Sequence, residues 1–491
     1  MVDFPLWVRL SHFFNFLFLI LLIRSGMGII GAHPKLYWND DANPGDEWAR
    51  FTDKELPDEE LWTAEDESEP YSKWIALPGL DNLGLARHWH FWPAALWTLT
   101  GVIYVVLLFT SGRWHELVPT SWAIIPGAWD AFVTYLQFEI PESEGLYHPL
   151  QQLSYFFVIF ILSPIQIATG IAMSPALEAR FPWFQKLFGG HQGARSLHFV
   201  GTVIFVLFTV VHVALVGIHG FGPHLTAIVL GSADQSHALG VGIAVFAIAA
   251  VLAANFFASE YTLRNPVRTK KLLRIGIAPL RKRLFHHWEA VADYDEDRIS
   301  PFSRPNGRPP RNETYEQLKA GEFEDWELEV GGLVENERTF SMDELREMPT
   351  QEHTSKHICI QGWTYYAKWS GVSISEIIER CNPKPEANYL VFHTLDEKWE
   401  YPDIEKGNYY QVLDTEEAME DQTMLAYGMN NGELPEPHGA PLRLRIESHL
   451  GYRMAKWVCG IEFVEDYEEI GDGQDGWRDD VLHYYPVSGG I

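Results

Sequence analysis

Residues 196–218, SLHFVGTVIFVLFTVVHVALVGI, decide the fold of this chain. Apart from His198 and His212 the segment carries no ionisable side chain, and it is longer than the roughly 20 apolar residues that cross the hydrocarbon core of a bilayer. A histidine inside such a span is costly to place there and is a functional hypothesis by default. The two are 14 residues apart. At about 1.5 Å rise and 3.6 residues per turn, that separation puts them roughly 21 Å apart and within about 40° of one helix face. One helix can therefore present an imidazole near each surface of the membrane.

Working outward, four more stretches reach spanning length, at about 8–32, 88–111, 150–174 and 237–258. ELVPTSWAIIPGAWDAFVTYLQF, residues 116–138, is interrupted by Pro119, Pro126 and Asp130, and is expected to form a surface helix between the second and third spans. The first apolar run is followed by Arg24 and Ser25-Gly26 instead of a small-residue cleavage site, so it reads as a retained helix. His12 opens the first span, and His88 and His90 open the second. Successive spans alternate direction, which puts His12 with His212 on one side and His90 with His198 on the other. Two matched pairs of neutral imidazoles suit two bis-histidine irons. His115, His148, His191, His219, His224 and His237 sit at span edges or loops, where a solvated position is expected.

The rest of the chain is different in kind. Beyond about residue 260 charge, Pro and Gly rise and no run is long enough to cross a bilayer, so the 491 residues divide into at least two domains. The boundaries read as 1–262 for the membrane domain, 263–311 for a basic juxtamembrane segment and linker, and 312–491 for a soluble domain. A net charge of -29 argues against nucleic acid as a partner, because phosphate binding needs clustered Lys and Arg. The 3 cysteines (Cys359, Cys381, Cys459) form neither CxxC nor CxxCH, which excludes covalent haem attachment by that motif and makes a disulfide framework improbable.

WVRLSH at the first span, RHWHFWPAALWTLTGVIY and SGRWHELVP around the second, YHPLQQLSYFFVIF and TGIAMSP in the third and RSLHFVGTVIFVLFTVVH in the fourth together resemble the cytochrome b subunits of thiosulfate reductases, nickel-iron hydrogenases and formate dehydrogenases. The likeness covers nearly all of residues 5–230. It implies two haem b groups held by His12, His90, His198 and His212, and favours His90 over His88 because the family's histidine directly precedes Phe91. Arg24 departs from the usual apolar residue; it could meet a haem propionate or snorkel to the interface.

After the fifth span, RNPVRTKKLLRIGIAPLRKRLFHHW places a dense basic run beside the membrane, and Arg50, Lys54, Lys73, Arg87, Arg180, Lys186 and Arg195 fall on the same side, against Arg9 and Arg113 opposite. Basic residues near spans favour the cytoplasm, so the expectation is a multi-pass cell-membrane protein with its C-terminal domain cytoplasmic and its N-terminus outside. DYDEDRISPFSRPNGRPPRNETYE, charged and Pro-rich without periodicity, reads as a linker.

From about residue 325 short alternating runs with turn signals (WELEVGGLV, HICIQGW, NYLVFHT, APLRLRIES, WVCGIEFVE) enclose amphipathic pieces such as SISEIIERC. This is a strand-rich α+β pattern, with Cys359 expected inside a strand. Alone, such a cysteine is more often a small buried hydrophobe than a ligand. HICIQGW, WSGVSISEII and MNNGELPEPHGAPLRLRIESHLGYRMAKWVCGIEFV together, however, resemble the molybdopterin domain of the sulfite oxidase superfamily, and most of all the catalytic subunits of bacterial protein-methionine-sulfoxide reductases. The likeness covers roughly residues 310–465.

That resemblance implies that Cys359 is the thiolate ligand of molybdenum, a role suited to a soft donor. It implies pterin contacts from Asn312, Tyr315 and Glu316 on an N-terminal arm, and from Thr394, His438, Arg443, Met454, Ala455 and Lys456. His438 stands where the reductases usually have Asn. Arg443 and Lys456 can offset the pterin phosphate, whereas Arg445 and Arg453 are expected on a solvated face. QGW after the cysteine departs from the Arg-bearing run of sulfite oxidases, and the tail from Gly471 extends past the likeness.

The two resemblances together imply a quinone-linked oxidoreductase: quinol gives electrons to two b haems, and molybdenum beside Cys359 removes an oxygen atom from a small-molecule or protein-bound S-oxide or N-oxide. Nothing in the sequence fixes the direction, so sulfite oxidation with quinone reduction stays open. A metal-free docking domain on an electron-carrying membrane anchor is the third reading.

Overall fold

The computed structural model describes residues 3–55, 61–142, 145–274, 288, 290–401 and 407–484. Most of the expected basic run, residues 275–287, and the last residues of the tail, 485–491, lie outside these. Among the described residues 5 helices are long and apolar enough to cross a membrane: Leu6–Ala32, Leu83–Thr110, Pro149–Ala172, Gly190–Ile218 and His237–Arg264. Their outer faces keep large apolar side chains exposed, as at Val210, Phe246 and Phe257, because lipid rather than protein is their solvent. The third span passes through a π-turn at Val158–Leu162 just before Pro164. Proline lacks the N–H that the carbonyl four residues earlier would receive, and the wider turn absorbs that mismatch. The expected surface helix is Ile124–Leu136, with Trp129 exposed on it and Trp122 just before it.

Two five-stranded sheets make up the soluble part. In the first, Thr350–Ile358, Thr364–Ser373, Met424–Met429 and Gly432–Glu433 follow one another antiparallel, and Arg443–Arg445 also pairs with Met424–Met429. In the second, the order is Arg338–Ser341, Glu327–Gly332, Val458–Val464, Tyr389–Thr394, Tyr410–Asp414, with Val458–Val464 parallel to Glu327–Gly332. Strand alternation builds the core: Leu328 and Val330 point inward while Glu327 and Glu329 stay outside. The helix Ile374–Cys381 adds Ile374, Ile377 and Ile378 at helical spacing.

The two parts share buried surface. Ala32, Tyr37 and Leu83 from the membrane part pack in one apolar cluster with Ile358, Cys359, Trp363 and Tyr484. Around it runs a polar seam. Lys356 meets Asp40 at 3.0 Å and Glu178 at 3.2 Å, and Arg304 meets Glu67 at 2.8 Å, all with side chains almost fully buried. The stretch expected to be a free linker is thus bound along its length, with Ser300 Oγ also accepting from the Tyr366 N–H. The tail likewise folds back: Arg478 bonds Glu65, and Tyr484 packs edge-on to Tyr452.

Several expectations change here. The fourth span begins at Gly190, not 196, and its extra turns carry His191, Gln192 and Arg195 into the seam, where Gln192 and Arg195 bond Gly362 O and Lys35 O in place of water. His148 and His191 are buried rather than solvated. Arg24 is committed to protein partners rather than to the interface. Its guanidinium donates to Asn255 O (2.7 Å), Lys73 O (2.6 Å) and Ser259 Oγ (2.7 Å), stapling the first span to the fifth and to the first loop. Charge-assisted bonds of this kind are each worth about 1.5–3 kcal/mol. Arg24→Met is therefore expected to cost about 3 kcal/mol or more, read as a lower unfolding temperature of the haem-loaded protein in detergent.

Candidate functional site

The four span histidines come together as the two expected pairs. His12 and His212 have ring centroids 6.3 Å apart, and His90 and His198 6.1 Å. Two imidazoles bound across one metal ion, with metal–nitrogen bonds of about 2.0 Å and about 1.1 Å from nitrogen to ring centre, have centroids about 6.2 Å apart. Hydrogen bonds also set the tautomer of one pair. Ser25 Oγ gives its only proton to Leu21 O at 2.7 Å, so it accepts from Nδ1 of His90 at 3.0 Å. Thr169 Oγ1 does the same, donating to Ile165 O at 2.8 Å and accepting from Nδ1 of His198 at 3.1 Å. Both Nε2 atoms keep their lone pairs, as metal ligands require. Gly170 lets the third span approach, since a Cβ there would sit 3.3 Å from the His198 ring. Phe208 stacks on His212, and Phe205, midway along the stripe from His198 to His212, meets Trp97 edge-on. His88 is buried outside these pairs.

Cys359 lies one residue past the end of its strand rather than inside it. Gly362 N donates to Cys359 O at 2.9 Å and Cys359 N to Trp363 O at 3.0 Å, which closes a tight turn in place of the ladder. Gly362 holds a φ of +108°, and a Cβ there would meet the Arg195 guanidinium at 2.8 Å, so the turn requires glycine twice over. The thiol is 2 % exposed, and burial pushes its pKa up to about 12, with Arg478 and Arg304 pulling in the other direction. Left alone it is a neutral thiol. A metal bound at the sulfur would displace that proton.

A buried cationic group lies beyond the turn. Arg443 donates to His438 O at 2.9 Å, and Lys456 Nζ donates to Pro437 O at 2.8 Å. Burial and then Arg445 lower the Arg443 pKa to about 10; burial and then Arg443 lower His438 to about 3. Lys456 is driven well below the usual lysine range by burial and then by Arg443. Nε of Arg443 and Nε2 of His357 are buried with no hydrogen-bond partner among the described residues. Basic side chains that depress one another's pKa values, with orphaned donors beside them, would be relieved by a bound phosphate anion. An aromatic ladder joins this group to the cysteine turn: Trp363, Tyr365 and His357 stack, and Tyr365 meets His438 edge-on.

The other expected contacts divide. Tyr315 is fully buried, with its hydroxyl donating to Ala440 O at 3.2 Å beside the cationic group. Asn312 caps the helix Glu313–Ala320 and donates to Leu395 O and Glu397, so its side chain is committed to holding the arm. Glu316 is exposed on that helix, and Thr394 donates to Tyr409 O at 2.6 Å. Met454 Sδ receives Arg445 at 2.9 Å, and Ala455 O accepts from Leu444 N. Arg445 and Arg453 are not on a solvated face. Arg445 is fully buried between Glu447, His357 Nδ1 and Met454, and Arg453 donates to Val412 O inside the fold. His357 and Arg304 were not singled out from the sequence. The first had a signal, since in HIC the histidine precedes the cysteine by two residues, a spacing that an extended chain puts on one face. Arg304, which lies over Trp363 at 5.7 Å, gave none.

Comparison with known proteins agrees with both halves. Residues 3–231 match the family model described as prokaryotic cytochrome b561, and residues 315–470 that described as oxidoreductase molybdopterin binding domain. The chain is 32% identical over 159 residues to the protein-methionine-sulfoxide reductase catalytic subunit of Xanthomonas axonopodis pv. citri, covering 31% of this chain and 48% of that one. It is 27% identical over 179 residues to the putative protein-methionine-sulfoxide reductase subunit YedZ1 of Azospira oryzae, covering 35% of this chain and 64% of that one. Among solved structures, the sulfane dehydrogenase SoxCD from Paracoccus pantotrophus aligns with 30% of this chain and 40% of its own, at 24% identity and a TM-score of 0.26. The chain spans less than two thirds of each of these relatives. A membrane region of the cytochrome b561 type is here joined, in one polypeptide, to a molybdopterin-binding oxidoreductase domain.

Proposed function

We propose that this protein is a membrane-bound, quinone-linked molybdenum oxidoreductase that reduces an S-oxide or N-oxide with electrons from quinol. The observation that carries the reading is the direct bond between the two halves: Gln192, on the helix that bears His198, donates to Gly362 O at 2.7 Å in the turn that begins at Cys359. Gln192 and His198 are six residues apart, about 9 Å along a helix. The His90–His198 pair and the cysteine therefore flank one buried seam.

Haem b supplies one-electron carriage and molybdopterin supplies oxygen-atom exchange at molybdenum; the protein supplies position and electrostatics. His12 with His212 and His90 with His198 would hold two haems, the hydroxyls of Ser25 and Thr169 orienting the second pair. Cys359 would bind molybdenum through sulfur, and His438, Arg443 and Lys456 would hold the pterin phosphate. Burial of the turn keeps water from competing for the substrate oxygen. The basic residues on the loops beside the soluble domain support a cytoplasmic position for it.

Arg304 and Arg478 acting on Cys359 would also suit an anionic substrate, so sulfite oxidation is the second reading. One experiment separates the alternatives. Haems of the purified protein are reduced with quinol and then exposed to methionine sulfoxide, an N-oxide or sulfite. Reoxidation by an oxide is the expected result. Haem reduction by sulfite in the oxidised protein would favour the second reading, and haem without molybdenum would mean a docking module.

A further inference from the structure

The end of the bundle away from the soluble domain holds a group of titratable side chains that neither histidine pair uses. Tyr135, on the surface helix Ile124–Leu136, puts its hydroxyl 3.0 Å from Nε2 of His148 and 3.0 Å from Nε2 of His219. His148 caps the start of the third span and His219 the end of the fourth, so three elements converge on one phenol. His219 follows His212 by seven residues, which places it about 10 Å further along the helix and about 20° around it. The stripe that presents His198 and His212 thus ends on this group.

The hydrogen-bond directions follow from the partners. His148 Nδ1 accepts from the Gln151 N–H at 3.3 Å, so a neutral His148 carries its proton on Nε2 and donates it to the Tyr135 oxygen. The Tyr135 proton is then directed to Nε2 of His219. One lone pair of the phenol oxygen stays open to a further donor. His224 is exposed, with its ring 6.1 Å from that of His219. Its Nδ1 donates to Gly220 O at 2.9 Å, which leaves Nε2 as a proton acceptor at the surface.

We propose that Tyr135, His219 and His148 form the site that binds a membrane quinol and removes its protons, an inference that rests on the quinone-linked reading above. A quinol hydroxyl donates to the open lone pair of Tyr135. As its O–H bond breaks, Tyr135 takes that proton and passes its own to His219, which releases one through His224 to water. Repeated once, this removes two protons and two electrons and leaves quinone. The electrons would go singly to a haem held by His12 and His212, which takes up one at a time. Tyr135 and His219 move the proton; His148 is a positioning residue that holds the phenol.

The test uses detergent-purified, haem-loaded protein, with a fluorescent hydroxyquinoline N-oxide as quinol analogue. Tyr135→Phe is expected to raise the Kd of the analogue about tenfold and to slow haem reduction by quinol about 100-fold, the scale of a lost acid–base group. His219→Gln keeps a bond to Tyr135 but cannot take the proton. It is expected to bind the analogue with little change while haem reduction slows about 100-fold, a split that loss of structure would not give. Haem content, optical spectrum and reduction by dithionite report that each variant is intact. If quinol reduces the wild-type haems and both variants match it in rate and affinity, this site is wrong and the quinone-linked reading stands. If quinol leaves the wild-type haems oxidised, that reading fails and takes the site with it.

Discussion

Replacing Cys359 with serine is expected to lower oxide-dependent turnover by about a thousandfold or more while leaving haem content and optical spectrum unchanged. Serine fits the same turn, because the bonds that close it are made by the backbone of Cys359, Gly362 and Trp363. What it removes is the soft sulfur donor that suits the metal. Among the described residues the hydrogen-bond partner of the thiol is Gln361 alone, at 3.7 Å to its side chain. Elemental analysis then separates two ways of losing activity: molybdenum absent, or molybdenum present in an altered site. A serine variant that turned over at the wild-type rate would remove Cys359 from the centre. The raised thiol pKa, about 12 from burial, adds a condition on loading. Because the metal must displace that proton, incorporation into the apo-protein is expected to weaken as the pH falls.

If the two histidine pairs each hold a haem, replacing His198 with alanine is expected to halve the haem content and to lower quinol-driven turnover by more than about 100-fold, since even outer-sphere partners of a bound metal are worth roughly 10–100-fold. His198 belongs to the pair nearer Cys359, so a haem held by His12 and His212 would be left stranded on the far side of the bundle. That haem should still be reduced by quinol and should no longer be reoxidised by the oxide. Molybdenum content should stay at the wild-type level, because Gln192 and Arg195, which hold the seam, lie on the helix ahead of His198. Retention of both haems in this variant would contradict the pairing. Thr169→Val offers a graded version: the imidazole remains, loses the hydroxyl that fixes its tautomer, and is expected to bind haem less tightly by about 10-fold.

Much of this protein is written along the chain. Spans are local events, set by the length of an apolar run against a fixed hydrocarbon thickness, and each is found with its ends within six residues of where the sequence places them. The pairing of His12 with His212 and His90 with His198 is anticipated by helical rise and alternating direction, while the ring separations of 6.3 and 6.1 Å come from how the spans pack. The strand alternation of the soluble part and the grouping of His438, Arg443 and Lys456 in one short segment are local in the same way.

Tertiary structure decided everything that depends on which segments meet. Arg24 reads equally as a haem-facing or an interfacial residue until the fifth span and the first loop present Asn255, Ser259 and Lys73 to it. Arg445 and Arg453 look solvated because nothing near them in sequence reveals Val412, His357 or the depth of the fold; only their partners make the burial of a guanidinium tolerable. Nor does any periodicity announce that Tyr135 lies between His148 and His219, or that Gln192 reaches Gly362. Hydrophobic length and spacing are properties of one segment, whereas a buried polar bond needs two, and the chain states the first without stating the second.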